Sequence, residues 1–158
     1  MEKEPMTNAG YEKITGELDF LKSKERPHTV IELDEARQLG DLKENAEYHA
    51  AKELQGLIES KINEIESALA SAQVIDVLSI PETGRVVFGS TVTLYDLDKD
   101  EEIKYKIVGN LESDPDEGKI SIDTPIAKGL IGKNIDDEVT ITTPSKTLNY
   151  EVISVQHL

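Results

Sequence analysis

The apolar residues of this chain change their period once. Up to Leu69 they recur at spacings of three and four, and from Val74 onward they alternate in twos among β-branched residues. A helix returns to the same face every 3.6 residues and a strand every second residue, so one element type cannot use both patterns. The chain therefore divides into a helical part and a sheet part. In the first, Thr7-Asn8 offers an N-cap, and Tyr11, Ile14, Leu18 and Leu21 follow at spacings of 3, 4 and 3. Val30, Ile31 and Leu33 continue the apolar content past Pro27, near which the helix should kink or restart. Ala50, Leu54, Leu57, Ile58, Ile62, Ile65 and Leu69 then form a seam along a second long helix. Neither helix is apolar enough to stand alone, and the one strong break between them is Leu39-Gly40-Asp41. The pattern predicts an antiparallel two-helix coiled coil over residues 8–75, bent near Gly40. Arms of about 30 residues would reach roughly 45 Å.

In the second part, Gly84–Leu94, Glu102–Val108, Lys119–Ile122, Glu138–Thr142 and Leu148–Val155 read as strands. Pro125–Ile131 reads as a short helix, with Pro at its first turn and Gly132 past its end. The fold class is thus α+β. A coiled-coil hairpin (residues 1–76) is followed by a mostly antiparallel sheet domain with a short helix (77–158).

Composition narrows the function. The net charge is −15, divided as −8 over residues 1–76 and −7 over 77–158, which argues against broad attraction to duplex DNA or anionic lipid. With no Cys, disulfides, zinc fingers and thiol nucleophiles are excluded. The start, Met1-Glu-Lys-Glu-Pro-Met6, carries no apolar leader, and no run approaches the roughly 20 residues of a membrane helix. A soluble cytoplasmic protein is expected. His28, His49 and His157 share no ligand spacing. Asp96-Leu-Asp98-Lys-Asp100 imitates the start of an EF-hand loop, but Glu101 stands where the loop needs Gly and Ile107 where it needs Glu.

The chemistry concentrates at the bend, in Gly40-Asp-Leu-Lys-Glu-Asn-Ala-Glu-Tyr-His49. Asp41 and Glu44 lie three apart, within reach of one another on a turn. They cap the second helix, or they are a pair of hard oxygen ligands displayed at the end of a rod. Mg²⁺ suits the second reading, since it takes one or two protein carboxylates and leaves its other positions to water and phosphate. Two ligands cannot hold Mg²⁺ alone, so a partner would complete the site. Arg37 and Lys52, one on each arm, either form a small basic spot or pair with nearby acids. Tyr48-His49 is either a catalytic pair or simply half-exposed near the end of the hairpin.

Residues 40–51, Gly-Asp-Leu-Lys-Glu-Asn-Ala-Glu-Tyr-His-Ala-Ala, resemble the signature of the bacterial Gre family of transcript cleavage factors, on its GreA branch. The resemblance extends to Leu18–Lys22, Ala72–Asp76, Gly84–Val92 and Ser121–Gly132, in order and in both halves. It implies an N-terminal coiled coil and an FKBP-like C-terminal domain. The latter would dock at the rim of the secondary channel of bacterial RNA polymerase. The acidic tip would then enter the channel and stimulate the polymerase's own hydrolysis of backtracked RNA near its 3′ end. By this resemblance Asp41 and Glu44 carry the work, sharing an Mg²⁺ that belongs to the polymerase active centre, and the isolated protein needs no cofactor. Arg37 and Lys52 match the family's basic patch toward the nascent RNA, with Lys52 where Arg is common. Asp123, Thr124, Pro125 and Lys128 match its docking segment, with Thr124 and Lys128 where Ser and Arg are usual. The protein would be an accessory factor and not an enzyme. The alternatives are a channel-blocking inhibitory paralogue of the same fold, a coiled-coil adaptor, and an FKBP-like prolyl isomerase.

Overall fold

The computed structural model describes residues 3–41 and 45–158. Two compact units are present: Glu12–Ser71, and Ala72–Leu158 together with the start of the chain up to Tyr11. Among the described residues no helix is long and apolar enough to cross a membrane.

The first unit is the helical hairpin that the periodicity predicts. Its leading arm consists of α1 (Asn8–Phe20, entering this unit at Glu12), a π-helical turn over Leu21–Glu25, and α2 (Arg26–Arg37). The return arm is α3 (Ala46–Ala70). The expected irregularity near Pro27 takes the form of the π turn. Proline has no N–H to donate and its ring collides with the carbonyl four residues back, so the preceding turn widens. The Arg26 N–H accordingly bonds to the Leu21 carbonyl, five residues back.

Cross-arm contacts run in opposite directions along the two arms. Lys22 pairs with Glu66 at 3.2 Å, and Arg26 grips Glu59 with two bonds of 2.8 and 2.9 Å. The Asn45 amide donates to the Ala36 carbonyl. As the first number rises the second falls, so the arms are antiparallel. Ile14, Thr29, Leu33, Ala36, Ala51, Ile58, Ile62 and Ile65 are buried. The seam is narrower than the apolar content suggests. Leu57 is 64% exposed and Leu54 40%, and Val30 and Ile31 also face water. A two-helix interface covers only a strip about two positions in seven wide.

The second unit holds a two-stranded ladder of β1 (Glu4–Thr7) and β2 (Ala72–Ile75) and a five-stranded curled sheet of β3 (Thr91–Asp96), β4 (Glu101–Val108), β5 (Lys119–Ser121), β6 (Glu138–Thr142) and β7 (Thr147–Gln156). The five strands lie in the order β5-β4-β3-β7-β6. The short helix α4 (Pro125–Leu130) buries Ala127 and Leu130 in a core with Val92, Leu94, Ile107, Val139, Ile141 and Val152. Gly129 permits the approach, because a Cβ there would stand 2.8 Å from Ile141.

The sheet is mostly antiparallel, as the sequence reading has it, with β5 joining β4 in parallel. Two details differ from that reading. The stretch read as one strand from Gly84 is broken at Gly89, whose φ of +86° leaves the ladder, and pairing begins at Thr91. Residues 72–75 are not the end of the helical arm. α3 stops at Ala70, and β2 pairs in parallel with β1, Met6 opposite Val74. Packing thus assigns these strands to the second unit. Met6 and Thr7 are buried there, and the Glu112 carboxylate accepts from the Thr7 N–H at 3.0 Å and from its hydroxyl.

Candidate functional site at the hairpin bend and the sheet-domain loop

The bend opens where α2 ends. Gln38 closes the last turn onto the Asp34 and Glu35 carbonyls, and Gly40 follows with φ +130°, a conformation that favours glycine. Asp41 comes next, exposed and outside any helix. Glu44, the other carboxylate expected to act, lies outside the described residues. α3 starts at Ala46, and its cap is Asn45. The Asn45 side-chain oxygen accepts from the Tyr48 N–H at 3.0 Å, while its amide reaches back to Ala36 on the other arm. Asn45 therefore caps one helix and ties it to the end of the other. Asp41 is not the cap of α3, and the capping explanation for that carboxylate falls. A hollow of about 380 Å³ lined by Leu39, Asp41, Asn45, Ala46 and Glu47 opens beside it.

The cations flank this turn through an aromatic neighbour. The Arg37 guanidinium lies over the Tyr48 ring, 5.9 Å from its centre, and Tyr48 meets His49 edge-on at 5.7 Å. Such stacking holds a guanidinium without consuming its donors. Lys52 is four residues beyond Tyr48, on the same face of α3, with its ammonium 3.5 Å from Gln55. Tyr48 thus ties Arg37 at the end of α2 to the first turn of α3, a contact that the charge pattern alone does not reveal. Among the described residues no three His, Cys, Asp or Glu side chains are grouped so as to hold a metal ion.

In the second unit the segment from Asp123 to Lys128 forms the entry to α4. Thr124 is its N-cap, accepting from the Ala127 N–H at 3.2 Å and donating to the Ser121 carbonyl at 2.8 Å. Pro125 occupies the first turn, and Asp123, Pro125 and Lys128 are exposed on one short stretch of surface. Asn110, which the sequence reading does not single out, donates its amide to Asp123 at 2.8 Å. Nothing in its local spacing marks it, since the contact spans thirteen residues.

The hairpin and the curled-sheet unit each match a part of the two-part transcription elongation factors. The family described as transcription elongation factor, N-terminal, matches residues 4–74, and transcription elongation factor, GreA/GreB, C-term, matches residues 81–157. The transcription elongation factor GreA of Aliarcobacter butzleri is 54% identical over 157 residues, covering 99% of this chain and 97% of that protein. The GreA of Haemophilus influenzae is 51% identical over 158 residues, all of both chains. Among solved structures, GreA factor homolog 1 of Thermus thermophilus aligns over 98% of this chain and 99% of its own, with 25% identity and a TM-score of 0.46. The chain belongs to the GreA/GreB family of transcription elongation factors.

Proposed function

We propose that this chain rescues backtracked bacterial RNA polymerase by stimulating the polymerase's own cleavage of the nascent RNA near its 3′ end. The observation that carries the reading is the placement of Asp41. It is an exposed carboxylate directly after Gly40, outside both helices and at the end of the hairpin, and the N-cap of α3 is Asn45. The second unit docks at the rim of the secondary channel through Asp123, Thr124, Pro125 and Lys128. The hairpin enters the channel with Asp41 and Glu44 leading. Arg37 and Lys52 form the local cationic face toward the extruded RNA, whereas the acidic remainder avoids broad phosphate contact.

Asp41 and Glu44 are hard oxygen donors of the kind Mg²⁺ prefers, too few to hold it alone and sufficient to complete a site begun by another protein. A second Mg²⁺ at the polymerase centre, when bound, stabilises the attacking and leaving oxygens of the phosphodiester. Asp41 and Glu44 supply negative charge at that position, and Gly40 and Asn45 hold the turn from either side. The protein is an accessory factor in this reading, and the catalytic centre is the polymerase's.

The test is 3′-fragment release from a stalled, backtracked complex of the cognate polymerase. Asp41→Asn and Glu44→Gln keep shape but remove charge, so cleavage should slow by about 10²-fold, as for the loss of one transition-state electrostatic contact. Both variants should still compete with the unaltered factor for polymerase, and added Mg²⁺ should partly restore the rate. Variants that bind, fold and cleave normally would overturn the metal-anchoring role.

A further inference from the structure

We propose that Asn110 is a positioning residue for partner docking: it holds the Asp123 carboxylate, so that the loop before α4 is recognised by its shape and not by the charge of Asp123. The inference rests on the docking reading of Asp123, Thr124, Pro125 and Lys128.

Asn110 opens a 3₁₀ turn, Asn110–Glu112, that is itself anchored. Glu112 accepts from the Gly109 N–H at 2.8 Å and from Thr7 through both its N–H and its hydroxyl. From this fixed point the Asn110 side chain is used in both directions. Its oxygen accepts from the Ser121 hydroxyl, and its amide donates to Asp123 Oδ2 at 2.8 Å. The Ser121 hydroxyl oxygen in turn accepts from the Asp123 N–H at 3.2 Å. Asn110, Ser121 and Asp123 thus close a ring of hydrogen bonds that holds the loop in this conformation. Thr124 passes that conformation on, bonded to the Ser121 carbonyl on one side and the first turn of α4 on the other.

An amide and a carboxylate are interchangeable in such a ring. With Asp at 110 and Asn at 123, residue 110 still accepts from Ser121 and still pairs with residue 123, now as acceptor. Net charge is unchanged. The swap therefore keeps the loop's shape while moving the negative charge off residue 123, which separates a positioning role from direct recognition of the carboxylate.

The test measures competition of full-length variants with labelled wild-type chain for the cognate RNA polymerase. Asn110→Ala and Asp123→Ala should each weaken binding by about 10-fold, since both remove the hydrogen bond to the Asp123 carboxylate. The double alanine variant should be no weaker than Asn110→Ala alone, because that variant already loses the bonds to both Asp123 and Ser121. Asn110→Asp with Asp123→Asn should bind within about twofold of wild type, whereas Asn110→Asp alone, which sets two carboxylates together, should bind weakly. In cleavage assays the single variants should raise the concentration for half-maximal stimulation and leave the maximal rate unchanged. Wild-type binding by Asn110→Ala while Asp123→Ala is weak, or a swap as weak as Asp123→Ala, overturns the proposal. Pro125→Ala and Lys128→Ala test the docking reading separately. If they bind weakly and Asn110→Ala does not, only the positioning role fails. If all of these variants bind as wild type, the docking reading fails and the positioning role with it.

Discussion

Asn45 is the residue on which the bend depends. Its oxygen caps α3 and its amide reaches Ala36, so Asn45→Ala should cost about 0.5–2 kcal/mol, read from the chemical denaturation midpoint. Asp41 does not cap α3, so Asn45→Ala should lower that midpoint more than Asp41→Asn, and a larger loss for Asp41→Asn would contradict the placement of the cap. The Arg26–Glu59 pair sets a second, pH-dependent expectation. The two bonds from Arg26 hold the Glu59 carboxyl below its usual value. A group so depressed contributes stability above the unfolded carboxylate pKa and loses it as pH falls through the folded value. Glu59→Gln should therefore melt below wild type at neutral pH, and the gap should close in acid; a gap that widens in acid refutes the pairing. At this scale the sequence showed which residues carry charge at the bend. It did not show which residue caps, because Asp41 and Asn45 are both competent N-caps and only the position of the first helical turn selects one.

Among the elements, the long helices and the strands β4, β6 and β7 were legible in the sequence, since each carries its period over five or more residues. The parallel ladder of β1 and β2 was not. Each strand has four residues, and they meet across 68 positions of chain, Glu4 opposite Ala72. Glu112 fastens the same junction. Glu112→Ala would leave the buried Thr7 hydroxyl and N–H and the Gly109 N–H without their acceptor, at a cost of about 1–3 kcal/mol of unfolding free energy. A loss below a few tenths would show that water replaces it. Within the sheet, Tyr150 on β7 is buried and has its phenol pushed up to about 12, by burial first and then by Tyr105 and Asp96. Folding favours the neutral phenol, so its contribution is complete below the unfolded pKa near 10 and is lost as pH rises toward 12. Tyr150→Phe should flatten the alkaline decline in melting temperature, and an unchanged decline would assign it to other groups.

For the whole molecule, the change of period predicted two units, and two are present, but packing does not divide the chain at one point. The second unit takes residues from both sides of the hairpin. A fragment of residues 77–158 lacks β1, β2 and Thr7. It should retain its sheet and melt below the corresponding transition of the full chain by calorimetry. Equal temperatures would show that the ladder adds nothing. The periodic patterns were sufficient for helix, strand, the bend and the acidic turn, because those follow from which face each residue presents to its near neighbours in the chain. The bonds from Asn45 to Ala36, Asn110 to Asp123 and Thr7 to Glu112, and the parallel ladders, were decided only by the tertiary structure. Each joins groups whose separation along the chain leaves no periodic trace, so chain folding alone brings donor and acceptor within reach.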